Sequence, residues 1–250
     1  MLLTDKTIIV TGASSGIGAS AARLFAAEGA SVVLGSRRKA RLRQVEAEII
    51  AAGGRAVHLA GDVAEDDYAA ALVELAGASF GRLDGAFNNA GTTGALGPVP
   101  EMSADMWRHV IDTNLTSAFF AARHQIPALL ENGGGSIVFT SSFVGYTIGL
   151  PGMAAYGAAK AGLIGFAQVL AAEYGSRAIR VNALLPGGTR TEMAGDDPAA
   201  HQYVAGLHAL KRMAEPEEIA RVAAFLLSDH ASFVTGSPVF ADGGNSISKN

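Results

Sequence analysis

The chain has 250 residues, 49% of them hydrophobic, enough to bury one large core. Its formal net charge is −4 and its basic residues are dispersed, which argues against a nucleic-acid partner. There is no cysteine, so disulfides, thiolate metal sites and thiol nucleophiles are excluded. The 31 glycines follow no three-residue period and read as tight turns. The N-terminus lacks a basic segment followed by an apolar stretch and a cleavage site. No uninterrupted apolar run approaches the ~18 residues that span a bilayer. The expectation is a soluble cytoplasmic protein with no membrane partner.

Short β-branched runs alternate with longer segments rich in Ala and Leu. Strands are expected over 7–11, 31–35, 56–61, 83–88, 136–140, 180–184 and 238–241. Helices are expected over 16–28, 39–52, 65–80, 104–131, 153–174 and 216–228. Nearly continuous apolar strands such as Thr7-Ile8-Ile9-Val10 suit a sheet covered on both faces. Repeated strand–helix alternation predicts an α/β fold, a Rossmann-type doubly wound parallel sheet of about seven strands with helices on both faces. No linker divides the chain, so 1–250 reads as a single domain.

The first strand runs into Thr11-Gly12-Ala13-Ser14-Ser15-Gly16-Ile17-Gly18 and then a helix. Glycines there permit a tight turn and close approach to a pyrophosphate, and the helix N-terminus favours the anion. The second strand ends Gly35-Ser36-Arg37-Arg38. Domains that prefer NAD place an acid roughly 20 residues after the glycines, to hold the ribose hydroxyls. Here that position is the neutral Ser36, followed by Arg37, a pair suited to a ribose 2′-phosphate. NADP(H) is therefore favoured, with NAD(H) the alternative. Asp62-Val63, ending the third strand, can reach an adenine or cap the next helix. Asn88-Asn89-Ala90-Gly91 ends the fourth strand at the edge where ligands bind in such sheets. Asn114 falls in mid-helix, unfavourable unless its side chain or a local distortion is used.

Thr140-Ser141-Ser142 follows the fifth strand, and Tyr156-Gly157-Ala158-Ala159-Lys160 lies on a long Ala-rich helix. Residues four apart share a helix face, so the phenol and ammonium point the same way. A cation beside a phenol pushes its pKa down from about 10. A hydroxyl from Thr140-Ser141-Ser142 can bond a substrate oxygen beside that phenol. The six histidines show no metal-ligand spacing, and no metal is expected. Residues 191–213 read as a lid-like segment over the site, with His201 and His208 on it. Arg190 is a candidate partner for an acidic substrate group.

Taken together these motifs resemble the short-chain dehydrogenase/reductase family over essentially the whole chain. Thr11 to Gly18 matches its T-G-x-x-x-G-x-G element, Asn88 to Gly91 its N-N-A-G, and Tyr156 to Lys160 its Y-x-x-x-K. Pro186-Gly187, Thr191 and Asp242-Gly243-Gly244 also fall at family positions. The resemblance implies that Tyr156 is the acid or base, that Lys160 lowers its pKa and binds the nicotinamide ribose, and that Ser142 polarises the carbonyl. It further implies that Asn114 holds a relay water. Gly12, Ser14, Ser15, Gly16, Ile17, Gly18, Asn89, Ala90 and Gly91 would contact the dinucleotide, as would Pro186, Gly187, Thr189 and Thr191. Members commonly place the serine thirteen residues before the tyrosine; here Phe143 stands there and Ser142 is fourteen before. An inserted residue near Tyr146 accounts for the difference, and Ser141 is the alternative. The implied activity is reversible reduction of a ketone or aldehyde by NADPH in a homotetramer. The alternatives are a catalytically silent nucleotide-binding regulatory or scaffold protein, and an epimerase.

Overall fold

Seven short strands form one sheet in a computed structural model that describes residues 1–248. They are β1 (Thr7–Thr11), β2 (Ser31–Ser36), β3 (Arg55–Ala60), β4 (Gly85–Asn88), β5 (Gly135–Thr140), β6 (Ile179–Pro186) and β7 (Pro238–Ala241). All neighbours run parallel, in the order β3-β2-β1-β4-β5-β6-β7. The helices are α1 (Gly16–Ala27), α2 (Lys39–Ala51), α3 (Asp66–Phe80), α4 (Ala104–Ile111), α5 (Ser117–Glu131), α6 (Ala154–Tyr174), α7 (Pro198–Leu207) and α8 (Pro216–Leu227).

Strand side chains alternate between faces, and the core divides accordingly. Ile8 and Val10 of β1 join Phe25 of α1, Leu42 of α2 and Ile219 of α8 on one face. Ile9 joins Leu72 of α3, Ile126 of α5 and Leu163 of α6 on the other. This double burial explains why the strands read as apolar runs. The strand order reverses between β1 and β4, and that switch point is where open parallel sheets form a crevice.

One expected helix is broken. In place of a continuous helix over 104–131, a π-helical turn (Asp112–Thr116) separates α4 from α5. Asn114 sits inside it, 2% exposed, donating from Nδ2 to the carbonyls of Thr92 and Val110, each at 2.8 Å. Its Oδ1 accepts from the Thr92 N–H at 3.2 Å. A buried amide bonded to a distant loop fixes the local distortion.

By length and composition Ala154–Arg177 resembles a membrane span, with mean hydropathy 1.2. Its apolar face instead packs on β6 through Leu163, Ala167 and Leu170, and it carries the buried Lys160.

Candidate active site

At the switch point one hydroxyl ties two strands together. Thr11, ending β1, accepts from the backbone N–H groups of Asn89 at 3.0 Å and Ala90 at 3.1 Å. Asn89 Nδ2 donates back to the Thr11 carbonyl at 3.3 Å. Asn88 turns the other way and pairs amide to amide with Gln125, at 2.9 and 3.0 Å, below the floor of the crevice.

Gly12 and Gly16 have φ of +67° and +51°, backbone that side chains disfavour. Ser15 N-caps α1 without a side-chain bond to its first turn, so the N–H groups there remain for an anion. Gly18 departs from the expected contact set. A Cβ on it would overlap the Gly12 carbonyl, so its role is close packing of α1 against the loop.

The end of β2 differs in detail from the sequence reading. Arg37 points outward and faces Asp62 at 3.8 Å, with two-thirds of its side chain exposed. Arg38, not singled out from sequence, lies across the glycine-rich loop. Its guanidinium donates to Ser14 Oγ at 3.0 Å, to Ser15 Oγ, and to Glu192 Oε2 at 2.6 Å. Its backbone N–H donates to Ser36 Oγ at 3.2 Å. Two hydroxyls of the glycine-rich loop thus converge on one cation, while Ser36 holds the Arg38 backbone. Asp62 closes its own turn by accepting from Ala64 N–H at 3.1 Å; it does not cap α3, whose N-cap is Glu65.

From this end a cleft of about 610 Å³ runs across the sheet edge. It is lined by Gly12, Ser14, Ser15, Gly16, Ile17, Ser36, Arg37, Asp62, Val63, Asn89, Ala90, Gly91, Asn114, Ser142, Tyr156, Lys160, Pro186, Gly187, Thr189 and Thr191. Of the residues assigned to catalysis or to the dinucleotide, only Gly18 is outside it. The cradle fits a dinucleotide. A Cβ on Gly91 would lie 2.7 Å from Asn114 Oδ1 and 3.3 Å from Lys160 Nζ, so only glycine keeps the middle of the cleft open.

At the far end α6 brings Tyr156 and Lys160 to the cleft on one face. Lys160 is 3% exposed, its Nζ donates to the Thr140 carbonyl at 2.6 Å, and it lies 5.6 Å from the Tyr156 ring centroid. Burial lowers the Lys160 pKa from 10.5 to about 7. The expected depression of the phenol is absent in this state. Burial raises the Tyr156 pKa, and the hydrogen bond with Ser142 opposes that rise. The reason is that the same burial that disfavours the phenolate also disfavours the ammonium meant to stabilise it.

The two candidate serines separate cleanly. Ser141 Oγ donates to the Lys160 carbonyl at 2.7 Å and is committed to holding α6. The Ser142 hydroxyl instead acts on Tyr156, opposing the rise that burial gives the phenol pKa, and accepts from Val144 N–H at 3.1 Å. The chain after it folds back through a Val144–Ile148 bridge and a Gly145 N–H to Ile148 carbonyl bond of 2.8 Å, which accommodates the longer spacing. A phenol and a hydroxyl side by side can both engage one substrate oxygen.

The segment over 191–213 contains α7. His201 lines the cleft and its Nε2 contacts the Gly195 carbonyl at 2.9 Å. His208 does not share its face. It is 1% exposed, with Nε2 accepting from Gly188 N–H at 3.0 Å and Nδ1 bonding the Val204 carbonyl at 2.7 Å. Arg190 is outside the cleft and pairs with Glu215 at 3.3 Å. Among the described residues no cluster suits a metal ion.

Residues 12–246 match the family model described as enoyl-(acyl carrier protein) reductase. The chain is 42% identical over 239 residues to cyclohexanol dehydrogenase of an Acinetobacter species, covering 96% of this chain and 94% of that one. The chain belongs to the short-chain dehydrogenase/reductase family. It is also 43% identical to the 2,5-dichloro-2,5-cyclohexadiene-1,4-diol dehydrogenase of Sphingobium indicum, with 97% of each chain covered. A solved short-chain type dehydrogenase/reductase from Mycobacterium marinum superposes with a TM-score of 0.93 at 31% identity, covering 98% of this chain and 97% of that one. The protein is accordingly an NAD(P)-dependent oxidoreductase acting on CH–OH groups of small molecules.

Proposed function

We propose that the protein interconverts a neutral, mainly apolar ring ketone and its secondary alcohol, with NADP(H) as the preferred cofactor. The observation that carries the cofactor reading is the convergence of Ser14, Ser15 and Ser36 on Arg38, with Arg37 alongside. Hydroxyls and a planar guanidinium suit a ribose 2′-phosphate, and no acid stands at position 36 to repel it. Gly12, Gly16, Ile17 and the α1 N-terminus would hold the pyrophosphate. Val63 and Asp62 would flank the adenine. Asn89, Ala90, Gly91, Pro186, Gly187, Thr189 and Thr191 would enclose the remainder.

The bound nicotinamide supplies the hydride in reduction and accepts it in oxidation. Tyr156 donates its phenolic proton to the carbonyl oxygen as the alcohol forms, and removes that proton in the reverse direction. Ser142 donates a second hydrogen bond to the same oxygen and holds the phenol in place. Lys160, its Nζ anchored on Thr140, carries positive charge to the ribose and lowers the cost of phenolate. Asn114, on the π-helical turn beside Gly91, holds the water through which Lys160 exchanges protons with solvent.

The substrate reading rests on the lining of the reaction end. Phe143, Val144, Leu150, Met153, Val204 and Leu207 supply apolar surface there. The arginines of the cleft are at the opposite end, and Arg190 is paired elsewhere. A substrate carboxylate or phosphate would find no arginine there. The names of the relatives, cyclohexanol dehydrogenase among them, support a ring alcohol. Homo-oligomerisation, as a tetramer, is part of the proposal. It is supported by Trp107, Phe119 and Val169 standing exposed on α4, α5 and α6.

Titration calorimetry with NADPH and NADH tests the cofactor reading. Tighter binding of NADPH is expected; equal or tighter binding of NADH contradicts it.

A further inference from the structure

We propose that Glu192 is a cofactor-specificity residue: its carboxylate is the intramolecular rival of the ribose 2′-phosphate for the Arg38 guanidinium. The inference rests on the proposed 2′-phosphate site and adds to it a second ligand already in place. Glu192 begins the lid-like segment directly after Thr191, far from Arg38 in sequence but bonded to it at 2.6 Å. Arg38 also donates into the cleft, to Ser14 Oγ at 3.0 Å and to Ser15 Oγ. Glu192 is therefore drawn to the hydroxyls that would receive a phosphate. The Arg38 guanidinium, first among several contacts, holds the Glu192 carboxyl below the usual carboxylate range. The rival is fully ionised at neutral pH.

The neighbouring pair behaves differently. Arg37 and Asp62 stand 3.8 Å apart, and Asp62 is already bonded to Ala64 N–H. Among the ion pairs of the described residues, Arg38–Glu192 alone ties the lid-like segment to the residues over the glycine-rich loop. The adjacent backbone is tightly placed as well, since a Cβ on Gly16 would lie 2.9 Å from Thr191 Cγ2. With a dinucleotide lacking the 2′-phosphate, Arg38 keeps Glu192 and the lid stays tied over the loop. A 2′-phosphate must instead share Arg38 with Glu192 or displace it, across a short distance between two anions. Glu192 thus narrows the preference for NADP(H), and the chain retains a usable affinity for NAD(H).

The test measures dissociation constants of NADPH and NADH by calorimetry for the wild type, Glu192→Gln, Arg38→Gln and the double variant. Gln keeps the shape of Glu and removes the charge. Glu192→Gln is expected to raise the ratio of the NADH to the NADPH dissociation constant by about two- to five-fold, the size of a partly exposed charge pair. The same substitution made on Arg38→Gln is expected to leave the ratio unmoved, since the contested cation is gone. An unchanged or lowered ratio in Glu192→Gln overturns the rivalry, whichever cofactor the wild type prefers. A raised ratio on a wild type that favours NADH overturns the proposed NADP(H) preference and keeps the rivalry.

Discussion

Lys160 Nζ donates to the carbonyl of Thr140 at 2.6 Å, so the last residue of β5 fixes a buried ammonium in the cleft. The side chain is surrounded by protein, and burial alone brings its pKa to about 7. The consequence for stability has a definite sign. Between about pH 7 and the unfolded value of 10.5 the unfolded chain binds a proton that the folded chain does not. Stability of the cofactor-free protein therefore rises with pH across that window, and the full penalty is present below it. Chemical denaturation at pH 7 and pH 9.5 should show a rise of the order of a few kcal/mol in the wild type. Lys160→Met should lack it. Equal slopes in both proteins contradict the assignment.

Thr11 receives two backbone N–H groups on one hydroxyl. Thr11→Val keeps the shape and leaves both donors without their acceptor. A loss of about 2–4 kcal/mol in urea denaturation is expected, at ~1–3 kcal/mol per buried unsatisfied group with some relaxation. A loss below about 0.5 kcal/mol would show that the two N–H groups find other partners.

The two serines after β5 should separate by assay. Ser142→Ala removes the hydroxyl beside Tyr156 and should lower kcat by about ten- to a hundred-fold, the effect of one positioned hydrogen bond to an ion-like oxygen. Its melting temperature should change little. Ser141→Ala removes the bond to the Lys160 carbonyl and should cost about 1 kcal/mol of stability before it costs turnover. The reverse pattern would exchange their roles.

Asn114 holds the π-helical turn through three bonds to Thr92 and Val110. Asn114→Leu should let the turn relax towards a continuous α-helix and close the gap beside Gly91. Reduced thermal stability and loss of turnover are expected together. A variant with wild-type melting temperature and turnover would show that the turn does not depend on this side chain.

The sheet was readable because its central strands are buried on both faces, and a run such as Ile8-Ile9-Val10 leaves no alternative period. The motifs were readable because glycine, asparagine, tyrosine and lysine occupy positions that the backbone itself demands. Contacts between distant loops were not readable in the same way. Arg38 was passed over for Arg37 because its partners Ser14, Ser15 and Glu192 come from two other segments. Asn114 hinted at a distortion, yet the carbonyls it binds lie in the loop at Thr92 and in α4. The phenol pKa was misjudged because spacing reveals a neighbouring cation but not the burial that acts on both groups. Gly18 was read as a ligand contact, and the structure shows it outside the cleft lining with α1 packed closely on Gly12. In sequence the two uses look alike.

The central claim is that Tyr156 moves the proton between protein and substrate oxygen. The most direct measurement is turnover of a cyclic ketone with NADPH by wild type and Tyr156→Phe, with NADPH affinity measured on both. Loss of the hydroxyl should lower kcat by about 10²–10⁴-fold, the usual contribution of a positioned acid, while NADPH binding is retained. Turnover within about three-fold of wild type, with cofactor binding intact, would contradict the account.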